Sequence, residues 1–176
     1  MTVPPRPGRP RVEIRDERPG EEEAIGTLIG AAFAGAAHSG GNEAAIVAAL
    51  RRGGSLAVSL VAVEDGAIVG HVAFSPVRVG GRSGGWFGLG PVAVEPGRQL
   101  RGIGAALIEA GLARLRTRGA KGCVVLGEPV YYGRFGFAAD PAFRLEGVPV
   151  DYFLRLAFEA APHGGKVEYD PAFGVG

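Results

Sequence analysis

The sequence predicts an α/β fold of the mixed (α+β) kind, an antiparallel meander of strands followed by one β-α-β unit. Two observations carry that expectation. Apolar residues alternate through "SLVAVED" and "AIVGHVAFSPVRV" on either side of Asp65-Gly66, a dipeptide that favours a tight hairpin turn. Further on, "VAVEPGRQLRGIGAALIEAGLARLRTRG" (Val92 to Gly119) runs from a β-branched stretch through a loop into a helical pattern, and the apolar strand "GCVVLGE" follows. A chain of 176 residues suits one domain with a real core. Residues 11–176 are expected to form it, behind a flexible proline- and arginine-containing leader at 1–10.

The elements follow in order. "RVEIR" alternates as a strand does. In "GEEEAIGTLIGAAF", Ala24, Ile25, Leu28, Ile29, Ala32 and Phe33 recur at helical spacing, and Glu21 to Glu23 lie in the first turn, where the helix dipole favours anions. "AGAAHSGGN" interrupts the pattern, Asn42 stands at an N-cap position, and the helix "EAAIVAALRR" stops at Gly53 and Gly54. The hairpin comes next, then "GGRSGG" turns the chain into "WFGLGPVAVEP". Pro91 lies inside that strand, where a missing N–H marks an edge, a bulge or a place where two strands part. The glycine-opened helix, "GCVVLGE", the aromatic segment "PVYYGRFGF" and the strand "DYFLRLAFEA" complete the order.

Composition removes several classes of function. A net charge of +1 gives no global attraction to nucleic acid. Cys123 is the only cysteine, which excludes an internal disulfide and any cysteine-rich zinc site. His38, His71 and His163 show no metal-ligand spacing, so no metal is expected. No apolar run reaches the roughly 18 residues of a membrane span, and the start of the chain has no apolar core of a signal peptide. No membrane partner is expected, and the cytoplasm is the expected compartment.

The helix after Gly102 is strongly specified. Ile103, Leu107 and Ala110 form one row and Ile108, Leu112 and Leu115 another, while Arg114, Arg116 and Arg118 favour the C-terminal end. Its N-terminus therefore lies near residues 100–104. Free N–H groups with little side-chain bulk make such an end an anion site, most naturally for phosphate, and Arg98 and Arg101 add local positive charge. The alternative is a tightly packed helix start with two small residues. No Gly-Lys-Ser/Thr follows, so the P-loop pattern fails. A nicotinamide dinucleotide reading is weak, because Leu107 replaces the third glycine and the glycines lie well beyond Val94.

The segment Gln99-Leu100-Arg101-Gly102-Ile103-Gly104 resembles the coenzyme A motif of the GNAT superfamily of N-acetyltransferases, Gln/Arg-x-x-Gly-x-Gly/Ala. "YYGRFGF" is similar to that family's tyrosine, three variable residues and Gly-Phe, and places Tyr132 in the tyrosine position. "VVLGEPVYYGRFGF" looks like one bacterial branch of small acetyltransferases, and the resemblance spans roughly Val12 to Ala160. It implies a central, mostly antiparallel twisted sheet, splayed at the strands around 88–94 and 122–127, with helices on both faces. It further implies acetyl-CoA as co-substrate, held by Val92, Ala93, Val94, Gln99, Leu100, Arg101, Gly102, Ile103, Gly104, Ala105 and Tyr132.

Acetyl transfer to an amine requires a held donor, a neutral amine, a stabilised oxyanion and a proton for the departing thiolate. The family position assigns that proton to Tyr132, whose phenol is protonated at neutral pH. Many family members carry a glutamate on the central strand, but "WFGLGPVAV" has no carboxylate. Glu43, His38, His71 and Glu128 are the candidate bases, with Glu43 the leading one as base or acceptor-binding group. Cys123 is expected inside a buried strand, which argues against a covalent acetyl-cysteine route and for direct attack in a ternary complex. Phe33, His38, Glu43, Trp86 and the tail after Tyr152 are candidates for shaping an acceptor pocket. The acceptor is not written in the sequence; a small-molecule amine is the default. A CoA-binding or sensing module without turnover is the alternative, and edge strands leave a homodimer open.

Overall fold

The computed structural model describes residues 11–37, 39–160 and 162–174. The leader expected at 1–10, and His38, lie outside the described residues. The chain begins with β1 (Glu13–Asp16), α1 (Glu22–Phe33) and α2 (Glu43–Arg52). The hairpin of β2 (Val58–Glu64) and β3 (Ala67–Pro76) follows, turned by Asp65 and Gly66, both at positive φ. A two-residue strand β4 (Arg78–Val79) leads to β5 (Trp86–Val94), α3 (Ile103–Thr117), β6 (Gly122–Leu126) and α4 (Pro129–Gly133). Short strands β7 (Ala138–Ala139) and β8 (Phe143–Arg144), then β9 (Phe153–Ala157) and β10 (Gly165–Glu168), complete the chain.

Seven strands form one sheet in the order β1-β2-β3-β5-β6-β9-β7, and every pairing is antiparallel except β5 with β6. The parallel pair is joined by α3, the crossover expected of a β-α-β unit. A second sheet of three strands, β4-β10-β8, was not foreseen. Its strands have two to four residues, too few for any periodicity to register. "AIVGHVAFSPVRV" accordingly divides at Pro76 between the two sheets.

The sheet is covered on both faces. On one, Ile103, Leu107, Ile108, Leu112 and Leu115 of α3 pack on Leu60, Val72, Phe74 and Leu89. On the other, Ile25 and Ile29 of α1 and Val47 of α2 meet Val61, Ala73 and Ala93. The small sheet lies against a separate cluster that includes Trp86, Val124, Phe143 and Phe153. Trp86, a candidate for the acceptor pocket, is instead buried, stacked at a tilt 4.8 Å from Phe143.

α3 lies close enough to the sheet to need a residue without a side chain. A Cβ on Gly111 would stand 2.1 Å from Phe74 Cε2. Alanine favours a helix over glycine by about 1 kcal/mol, yet Gly111→Ala is expected to destabilise the protein by about 1–3 kcal/mol, since overpacking outweighs propensity. Urea denaturation measures the difference; a stabilised variant would contradict this packing.

Candidate functional site

The ladder between β5 and β6 pairs Trp86 with Gly122, Phe87 with Cys123 and Gly88 with Val124, and it ends there. Beyond Gly88, β5 stays with β3 alone, across an irregularity between Val72 and Phe74, while β6 runs on with β9 through Leu126. Pro91 lies just past the parting, in the strand segment that faces the gap. The expected splay is therefore present. Ala93 turns its methyl into the α1 side of the core, and Val92 and Val94 pack toward the α3 side.

The loop from β5 to α3 points the helix start back toward this gap. Gln99 Nε2 donates to the Val94 carbonyl at 3.3 Å, tying the loop to the end of the strand. Leu100 and Gly102 both have positive φ, 63° and 83°. The first position has a fully exposed leucine side chain; the second, at the N-cap of α3, is where glycine removes the strain. The N–H of Ala106 bonds the Gly102 carbonyl, so those of Ile103, Gly104 and Ala105 form the free first turn of a 15-residue helix. A cavity of about 370 Å³ opens there, lined by Val94, Arg98, Gln99, Leu100, Gly102, Ile103, Gly104, Ala105, Tyr131 and Arg134.

The structure thus brings most of the sequence-chosen loop residues together around one anion-ready cavity. It corrects the charge assignment. Arg98 is committed to Glu64 and Glu95, which hold its guanidinium in ion pairs and raise its pKa, the Glu64 hydrogen bond first. Arg101 forms no ion pair among the described residues, and Arg134, which the sequence did not single out, lines the cavity with its guanidinium 4.4 Å from the Tyr131 ring centre.

The two tyrosines divide. Tyr131 lines the cavity, its Oη 3.6 Å from where a Gly104 Cβ would stand. Tyr132 packs edge-on against Tyr131 and Phe137 and lies directly on Gly127, whose missing Cβ would be 2.3 Å from its ring. Burial, with lesser contributions from Tyr131 and Cys123, pushes its phenol up to about 12, so it is a proton holder at neutral pH. Tyr169 was missed altogether. It reaches over Gly88 from the chain's end, with Cε1 2.6 Å from a would-be Cβ. Across from Gly88 stands Ser75, fully buried, whose Oγ has no partner among the described residues. Nothing local in the sequence connects residue 169 to residue 88.

The candidate bases separate as well. Glu43 accepts a hydrogen bond from Ser39 Oγ at 2.7 Å, at the turn into α2. His71 is wholly buried on the α1 side, its Nε2 2.8 Å from Ser59 Oγ and its Nδ1 unpartnered among the described residues. Burial, aided by Arg51, pushes its pKa down to about 3. A neutral imidazole with so little proton affinity is a structural group, not a base. Glu128 stands at the N-cap position of α4, beyond β6, without a capping hydrogen bond from its side chain. Cys123 is fully buried, and that burial pushes its thiol up, away from any thiolate. Among the described residues, no three His, Cys, Asp or Glu side chains form a group that could hold a metal ion, and no helix is long and apolar enough to cross a membrane.

Residues 31–137 match the model of the acetyltransferase (GNAT) family. The chain belongs to that family. The match holds the α2–β5 framework, the glycine loop, α3 and the tyrosine segment together. Beyond the GNAT match, the chain is 40% identical to the uncharacterized N-acetyltransferase YhbS of Escherichia coli (strain K12) over 170 residues, 93% of this chain and 96% of that one. It superposes with a TM-score of 0.84 and 48% identity on a GNAT family acetyltransferase from Brucella melitensis in complex with acetyl-CoA, covering 94% of this chain and 99% of the other. YhbS from Escherichia coli in complex with CoA superposes with a TM-score of 0.88 at 32% identity, covering 96% and 95%. The GNAT fold expected from the sequence is the fold observed.

The buried GNAT-core histidine generates a pH prediction. The unfolded chain takes up a proton on His71 below about pH 6.5, whereas the folded chain does so only near pH 3. The unfolded state therefore binds more protons in that window, and stability falls as pH drops through it, by about 1.4 kcal/mol per pH unit for one proton. Urea unfolding at pH 7.5, 6.0 and 5.0 should show this loss in the wild type and a shallower one in His71→Gln. Equal slopes would contradict it.

Proposed function

We propose that this chain, with residues 11–176 as one domain, transfers an acetyl group from acetyl-CoA to a primary amine by direct attack in a ternary complex. The observation that carries the reading is the end of the β5–β6 ladder at Gly88, which opens beside the free first turn of α3. The relatives crystallised with acetyl-CoA and CoA support it, and their resemblance over more than nine-tenths of the chain disfavours a module that binds without turnover.

The residues fit such a donor. Ile103, Gly104 and Ala105 present free backbone N–H groups to a pyrophosphate, with Arg134 in the cavity wall supplying charge and Arg101 held available in the adjoining loop. Val92, Ala93 and Val94 offer an extended backbone edge to the amides of a pantetheine arm, as another strand would. Acetyl-CoA supplies the activated thioester. A main-chain N–H in the same stretch is assigned to the charge that develops on the carbonyl oxygen.

Tyr132 holds the proton for the leaving group. An ammonium acceptor first loses one proton to solvent. Its nitrogen forms the amide bond as the carbon–sulfur bond breaks, and the Tyr132 phenol gives its proton to the departing sulfur. The second proton shed by nitrogen restores the phenol through solvent. Glu43, whose carboxylate accepts from Ser39 Oγ at the start of α2, is assigned no proton-transfer step. No base on β5 is invoked.

Two outcomes test the reading. Acetyl-CoA at 100 times its dissociation constant should add about 2.7 kcal/mol of stability, a melting shift of roughly 5–11 °C. Gly104→Val should fold but abolish that shift, since only ordinary contacts with Tyr131 and Val94 surround an added Cβ; a retained shift would contradict the site. Separately, Tyr132→Phe should lower kcat by about 10- to 100-fold with acetyl-CoA binding intact. An unchanged kcat would remove Tyr132 from the chemistry.

A further inference from the structure

A second cavity stands at the C-terminal end of β6. At about 670 Å³ it is roomier than the donor cavity of about 370 Å³, and Leu126, Gly127, Glu128, Val148, Pro149 and Tyr152 line it. Two of the large hydrophobic side chains that the described residues leave exposed, Leu126 (52%) and Tyr152 (45%), stand in its wall. Apolar surface concentrated in one concavity marks a place where something apolar binds.

The wall has one charge. Glu128 is exposed, makes no side-chain cap to α4 and forms no ion pair among the described residues. The cavity neighbours Tyr132 through Gly127, which is both part of its wall and the residue on which the Tyr132 ring lies. It also begins where β6 has already parted from β5.

We propose that this cavity holds the acceptor, and that the acceptor is a small primary amine on an apolar aliphatic or aromatic body, its ammonium drawn to Glu128. The inference rests on the acetyl-transfer reading above. An ammonium with a pKa near 10 reaches the site charged, and one unpaired carboxylate complements one cation. The walls of Leu126, Val148, Pro149 and Tyr152 take the rest of the molecule out of water. A polyamine or a free amino acid carries further charge, which these walls would have to desolvate without a partner.

The test compares phenethylamine and hexylamine with spermidine and lysine, reading kcat/KM from CoA thiol release, with acetyl-CoA binding measured on the same samples by melting shift. The apolar amines should exceed the other two by about tenfold or more in kcat/KM. Glu128→Gln should raise KM for phenethylamine by about tenfold with kcat nearly kept, and Glu128→Asp should recover part of the loss. Leu126→Ser should raise KM for hexylamine; since both side chains are exposed, the variants should melt as the wild type does. If acetyl-CoA binds but spermidine or lysine is preferred, if no amine of the four is turned over, or if Glu128→Gln leaves KM unchanged, this inference is wrong and the donor site stands. If acetyl-CoA does not bind, the transfer reading falls and takes the inference with it.

Discussion

The site depends on a hydrogen-bond ladder that stops early. β5 and β6 share three residue pairs and then diverge, so the edge of β5 from Leu89 to Val94 loses its strand neighbour near the middle of the molecule. Backbone amides and carbonyls left without partners away from water are costly, and a ligand that carries amides of its own can satisfy them. The parting is fixed from several directions: β3 holds β5 through the irregularity near Val72, β9 holds β6, and Tyr169 occupies the space over Gly88 where the last pair forms. Because these contacts come from different parts of the chain, the gap is a property of the whole fold.

The electrostatics are as local as the near-zero net charge requires. The α3 N-terminus supplies partial positive charge through oriented amides, and Arg134 in the cavity wall adds to it. Arg98 is withdrawn to compensate Glu64, an almost fully buried carboxylate at the end of β2. Its role is to anchor the loop to the sheet so that the helix start is held in place. The cavity proposed for the acceptor inverts this arrangement, with apolar walls and the carboxylate of Glu128. Tyr132 stands between the two regions, its burial keeping the proton on the phenol.

Local features were legible in the sequence and distant contacts were not. The hairpin at Asp65-Gly66, the glycine-opened α3 and the parting near Pro91 each announce themselves through residues whose backbone preferences are narrow. Gln99, Leu100 and Gly102 to Ala105 gather around the cavity because they are contiguous and the helix start fixes them, while Arg101 does not line it. By contrast, the β4-β10-β8 sheet joins segments of two to four residues, with Val79 paired to Val167 far along the chain, and Tyr169 likewise reaches back to Gly88. Tyr131 and Tyr132 are adjacent, so only the turn of α4 decides which faces the donor cavity and which lies on Gly127. Trp86 was a candidate for the acceptor pocket, but its burial against Phe143 depends on a strand the sequence did not reveal.

The central claim is that the gap between β5 and β6, together with the start of α3, is the donor site. Amide hydrogen exchange with and without acetyl-CoA tests it most directly, since it reads the backbone groups that the claim invokes. The account predicts new protection at the amides of the 89–94 segment and at Gly102 to Ala105, with the helix interior beyond Leu107 unchanged. Protection confined to the cavity at Leu126 and Tyr152, or absent from the 89–94 segment while the ligand is bound, would contradict it.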